Sequence, residues 1–224
     1  MTAVLPTKTR AGRPMNANPA LQRDKIIRAA LAEFAQKGFA GASLRTIAQE
    51  AGVAHGMIRH YFQSKELLFQ SAADYLFGEM GKALLQAAEP GDDGDPVQQL
   101  ARQIRAFVKV SAELPHLAGF LMQAGLDGGE QFTHLVETYV KPLQALSLAP
   151  YHQAVAQGLM RDMNPDFVFL VATHAAMAPF ANTALRRALA DASPHDPAQI
   201  EAYADTLIAM LTEGALTERY RSRQ

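Results

Sequence analysis

Residues 43–65 gather Ser43, Arg45, Thr46, His55, Gly56, Met57, Arg59, His60, Tyr61 and Lys65. The set is rich in hydrogen-bond donors and cations and contains no carboxylate. Such groups suit phosphate oxygens and nucleobase edges. Short hydroxyls and cations reach phosphate, a guanidinium can grip a guanine edge, and a thioether can touch a thymine methyl. The residues between them are periodic. Leu44, Ile47, Ala48 and Ala51 fall at i, i+3, i+4 and i+7, one apolar helix face, and Ile58, Tyr61 and Phe62 repeat the pattern. Ser43 can cap the first helix, and Gly52 stands where a left-handed stop is needed. The spacing predicts a helix-turn-helix over 43–62. Its second helix would present His55, Gly56, Met57, Arg59 and His60 outward as a groove reader. His60, Tyr61 and Lys65 would clamp the backbone beside it, although Tyr61 equally suits the core.

The charge distribution points the same way. The formal net charge is −1 over 224 residues. Residues 1–70 carry ten Lys/Arg against four Asp/Glu, while the remainder carries eleven against eighteen. A basic front on an acidic body is expected where only the front meets phosphate. Apolar residues make up 49% of the chain, enough for a substantial core. Without cysteine there is no disulfide framework and no thiolate metal site. No apolar run approaches a membrane span, and no signal-peptide core opens the chain, so a soluble cytoplasmic protein is the expectation.

The positioning elements follow from punctuation. Residues 1–18 lack an apolar period and read as a flexible basic arm. Its Arg10-Ala11-Gly12-Arg13-Pro14 resembles minor-groove-reading arms, with Arg13 as the contact. Ile27, Leu31, Phe34 and Ala35 mark a first helix ending near Lys37-Gly38. Ser64-Lys65-Glu66 opens a helix to about Ala88. Pro90 to Pro96 is the clearest break. Asp95-Pro96 starts a helix to about Glu113, and Pro115 a shorter one to about Ala124. Gly128 or Gly129 precedes a segment to about Gly158, bent near Pro142 and Pro150. Asn164-Pro165 and Asp196-Pro197 start the last two long helices, about 165–190 and 197–213, the former bent at Pro179. No useful period-2 run appears. The expected fold class is all-α with about nine helices.

Ile26-Ile27-x-Ala29-Ala30-x-x-x-Phe34, Lys37-Gly38-Phe39, Ser43-Leu44-Arg45-x-Ile47-Ala48, Ala51-Gly52-Val53 and His60-Tyr61-Phe62-x-Ser64-Lys65-Glu66-Leu67-Leu68 occur in order. On these residues the chain resembles the TetR family of bacterial one-component transcriptional regulators. The resemblance implies a three-helix DNA-binding head over 22–82 and a helical ligand-binding and dimerisation domain over 83–219. It implies that Arg45 can reach a guanine edge, and that the last two helices pair in a homodimer. Ala172, Ala175, Ala176, Ala178, Leu207, Met210 and Leu211 are the candidate stripes there. It also implies a small-molecule effector that releases a palindromic operator. His116, Phe120, Gln123, Tyr139, His174 and Met177 are the candidate pocket residues, with Met122 and Asn182 beside them. Two positions depart from the family: Ala54 replaces a usual capping hydroxyl, and Arg59 a usual aromatic. Both bear on which DNA sequence is preferred.

Catalysis finds no support. His116, His134, His152 and His174 lie on separate segments without metal-ligand spacing. There is no nucleophile elbow and no phosphate loop. No metal or cofactor is expected. The alternatives to a ligand-released repressor are an activator with the same head, a sequence-indifferent architectural DNA binder, and a helical enzyme or carrier whose helix-turn-helix is only structural.

Overall fold

The computed structural model describes residues 19–89, 94–189, 193, 195–216, 218 and 222. The basic arm with Arg13 lies outside the described residues, as do most of the Pro90–Pro96 break and the stretch 190–192. The described residues form α1 (Pro19–Gly41), α2 (Leu44–Glu50), α3 (His55–Phe62), α4 (Lys65–Ala88), α5 (Pro96–Glu113), α6 (Leu117–Asp127) and α7 (Gly129–Leu135). A π-helical turn, Val136–Val140, leads into α8 (Lys141–Ala156), followed by α9 (Pro165–Ala181), α10 (Thr183–Leu189) and α11 (Pro197–Glu213). Among them no strand forms beyond one isolated bridge, Met160 to Leu216. The all-α expectation holds, with eleven α-helices among the described residues.

Asx-Pro pairs start three long helices by one mechanism. Asp95, Asn164 and Asp196 each accept a first-turn backbone N–H through the side-chain oxygen, at 2.8, 2.9 and 2.8 Å. The following proline occupies a position whose N–H has no intrahelical partner anyway. Ser64 caps α4 by accepting the Leu67 N–H at 3.2 Å.

Two internal prolines are tolerated because side chains replace their missing N–H groups. Pro179 leaves the Ala175 carbonyl without its helical donor, and the Tyr203 hydroxyl of α11 donates there at 2.6 Å. Pro150 does the same to the Leu146 carbonyl, which accepts from Gln103 Nε2 of α5 at 3.4 Å. The bend expected at Pro179 therefore falls later. Asn182 breaks the helix, and its Oδ1 accepts the Leu185 N–H at 3.0 Å to start α10. The two axes diverge by 75°. The bend near Pro142 takes the form of the π-helical turn just before it. No single helix among the described residues is long and apolar enough to cross a membrane.

One apolar core runs from head to body. It includes Ile26, Phe34, Ile47, Ile58 and Phe62 of the head and continues through Phe69 and Leu76 to Phe107, Leu117 and Ala176. α4 belongs to both ends. At the junction Phe34, Phe39, Phe69 and Phe120 make an aromatic cluster, Phe69 stacking on Phe120 at 4.8 Å and meeting Phe34 edge-on at 5.1 Å. α6 lies so close to α1 that a Cβ on Gly119 would stand 3.0 Å from the Ala35 carbonyl oxygen. A smaller core gathers Val97, Leu148, Tyr151 and Leu159. There the Tyr151 hydroxyl accepts the Met163 N–H at 2.7 Å.

Candidate nucleic-acid interface and effector cavity

α2 begins at Ser43, whose Oγ accepts the Thr46 N–H at 3.4 Å. It ends in two backbone bonds, Gly52 N–H to Gln49 O at 3.1 Å and Val53 N–H to Ala48 O at 3.0 Å. That pairing closes a helix only when the residue after the cap adopts positive φ, and Gly52 does so at +65°. The turn throws α3 across α2. Ile58 and Phe62 are buried, whereas Arg45, His55, Gly56, Arg59 and His60 are exposed. Thr46, Met57, Tyr61 and Lys65 are partly exposed. The apolar period thus pins one side of α3, leaving the other open for the width of a groove.

Ala54 offers no side-chain cap to α3, consistent with the hydroxyl missing there. At the other end Gln63 takes φ +65°, ψ −48°, and Ser64 N–H donates to Phe62 O at 2.7 Å. This tight, strained turn sets the angle between α3 and α4. The His60 and Tyr61 rings meet edge-on at 5.3 Å. Lys65 has local partners: its Nζ donates to Ala40 O at 3.1 Å and sits 5.0 Å over the Phe39 ring.

Sequence reasoning missed two residues that hold this face. Glu33 is 6% exposed, and its Oε1 accepts the Ser43 N–H at 3.1 Å and pairs with Lys37 Nζ at 3.1 Å. A glutamate inside an apolar stripe was the only available signal. Asp127, the last residue of α6, accepts the Ala40 N–H at 3.3 Å and lies against Gly38. Gly38 takes φ +69°, ψ 179° and kinks α1 three residues before its end.

The body holds a partly open cavity of about 690 Å³. Phe77, Met80, Phe107, Phe132, Phe169 and Met177 form its main walls, and His174 also faces it. Of the six pocket candidates, His174 and Met177 line this space. Phe120 is 1% exposed and belongs to the aromatic junction instead. Tyr139 stands behind the wall, stacked on Phe77 at 4.8 Å with its hydroxyl donating to Asp74 at 2.6 Å. Burial, then Asp74, pushes its phenol well above the ordinary range. His116 precedes α6, where burial lowers its pKa. His116 and Gln123 are not among the lining residues, and Met122 is. Among the described residues no acidic or histidine cluster could hold a metal ion.

A three-helix head whose third helix shows a polar face beside a basic edge defines a helix-turn-helix DNA-binding protein. Comparison with known proteins narrows the class. Residues 26–72 match the model described as bacterial regulatory proteins, tetR family, and residues 93–220 match the tetracyclin repressor-like C-terminal domain. The chain belongs to the TetR family. The YerO regulator of Bacillus subtilis is 33% identical over 85 residues, 38% of this chain and 29% of that protein. The BetI regulator of Serratia proteamaculans is 32% identical over 80 residues, 36% of this chain and 40% of that protein. The chain thus spans well under half the length of these relatives. The fold is shared more widely. The ketosteroid transcriptional regulator KstR2 of Mycobacterium tuberculosis superposes with TM-score 0.69 at 18% identity, covering 88% of this chain and 96% of that one. A TetR-like regulator from Rhodococcus sp. RHA1 gives 0.64 at 21% identity, covering 92% and 98%.

Proposed function

We propose that the chain is a cytoplasmic, non-catalytic repressor that binds a palindromic operator as a homodimer and releases it when a small molecule fills the body cavity. The observation that carries this reading is the open polar face of α3 on a basic head, joined through one continuous core to a body with a ligand-sized cavity. Ser43, Thr46, His60, Tyr61 and Lys65 would hold phosphates. Arg45, His55, Gly56, Met57 and Arg59 would meet base edges, and Arg13 would follow the adjoining minor groove.

Dimerisation finds support in the outward sides of the last helices. Phe167, Val171, Leu185, Leu189 and Met210 are large and exposed, Met210 at 74%. Ala178 is also exposed, whereas Ala176 and Leu207 face the protomer's own core. Large apolar side chains left exposed on these helices favour a contact surface there. Two copies joined there would carry two reading heads for paired half-sites.

The test is selection of duplexes from a random library, followed by titration of the selected duplex and a scrambled one at fixed salt. A palindromic consensus bound at least roughly a thousandfold more tightly than the scrambled duplex is expected. Equal affinity for both would replace the repressor with an architectural protein. Absence of binding at low salt would remove the DNA-binding function.

A further inference from the structure

Among the described residues, the walls of the cavity contain no Asp, Glu, Lys or Arg. Their polar residues are Ser147, Thr173 and His174. Thr173 Oγ1 donates to its own helix at Phe169 O, 2.8 Å, and His174 Nδ1 lies 2.8 Å from Leu170 O. Because a carbonyl only accepts, Nδ1 carries the proton in that contact. A smaller pocket of about 50 Å³ adjoins the main cavity, sharing Leu84, Phe107, Ser147, Phe169 and Thr173 as walls. Gln103 lines this pocket and is 3% exposed. Its Nε2 is committed to the Leu146 carbonyl that Pro150 leaves free, which turns Oε1 away from Leu146. Oε1 is buried and has no hydrogen-bond partner among the described residues. Oε1 is itself closed off from both spaces, so the surface that a ligand meets is almost wholly apolar.

We infer that the effector is an uncharged, largely apolar molecule that fills the main cavity. A charged group would lose its hydration in this cavity with no counter-ion to replace it. Its apolar bulk lies between α4, α5, α6, α7, α8 and α9. The inference rests on the proposed role of the body as an effector domain, and it specifies the chemistry of that site.

N-phenyl-1-naphthylamine is a neutral probe with a single N–H, and its fluorescence rises in apolar surroundings. 1-Anilinonaphthalene-8-sulfonate shares the fused-ring arylamine skeleton and adds an anion. Titrated into the full chain, the neutral probe should saturate at one per chain, and the sulfonate should bind at least roughly tenfold more weakly. Leu143→Trp, which fills the cavity, should abolish the signal. Circular dichroism melts identify any variant that fails to fold. Equal or tighter sulfonate binding overturns the inference. So does a folded Leu143→Trp that still binds the neutral probe. The duplex titration described above is run on the same samples. Operator binding without probe binding would sink this inference alone, whereas probe binding without operator binding would sink the repressor reading and leave the site's chemistry standing.

Discussion

Gly38→Ala tests the junction between head and body at its tightest point. Gly38 holds φ +69° with extended ψ, a region essentially closed to residues with a Cβ. Forcing alanine there costs about 1–3 kcal/mol. The added Cβ would stand 2.9 Å from Asp127 Cγ and closer still to Oδ2, so the carboxylate must swing away. It would then release the Ala40 N–H, with a further loss of about 0.5–1.5 kcal/mol. Reduced freedom of the unfolded chain returns about 0.4–1 kcal/mol. The net expectation is a destabilisation of about 2 kcal/mol. Urea denaturation followed by circular dichroism measures it, and Asp127→Ala supplies the second leg of a double-mutant cycle. In the Asp127→Ala background Gly38→Ala should cost about 1 kcal/mol less, because only the backbone strain remains. A Gly38→Ala change within about 0.5 kcal/mol of the parent would refute the strain argument, given the usual spread of neutral surface changes. Equal costs in both backgrounds would refute the contact with Asp127.

Glu33→Ala should destabilise the head by about 1–3 kcal/mol, because the Ser43 N–H loses its acceptor. Glu33→Gln keeps an acceptor oxygen and should cost less than about 1 kcal/mol in the same assay. Lys65→Met should weaken all duplexes alike and flatten the salt dependence by roughly one unit per protomer, whereas Arg45→Ala should relax base choice at one position per half-site. A change of base preference in Lys65→Met would overturn its phosphate role. Burial lowers the pKa of His116 from about 6.5, so the unfolded chain takes up its proton at a higher pH than the folded chain does. Stability from this group is therefore lost as pH falls below about 6.5. His116→Gln should flatten that part of a urea-midpoint-against-pH curve, and an unchanged slope would count against the assignment.

Much of the helix-turn-helix was legible because its signals are local. A capping serine, a 3.6-residue apolar period and a glycine after the turn act within a few residues of one another, and the structure places α2 and α3 as they imply. The Asx-Pro helix starts were legible for the same reason. The candidate cavity residues were harder to find. A phenylalanine on an apolar helix face looks alike in sequence whether it lines a cavity or, as Phe120 does, stacks on Phe69. Which way it faces depends on the packing of distant helices.

The linear sequence by itself determined an all-helical chain, a basic reading head and the family, since propensity, capping and charge are properties of neighbouring residues. Only the tertiary structure decided where prolines bend the helices. Pro179 and Pro150 are tolerated because Tyr203 and Gln103, 24 and 47 residues away along the chain, reach the freed carbonyls. It likewise decided that Asp127 meets Gly38 across 89 residues, and that one buried glutamine ends with an unpaired oxygen beside a cavity. Backbone groups must be satisfied wherever they are buried, and the partner that satisfies them is chosen by proximity in space rather than along the chain.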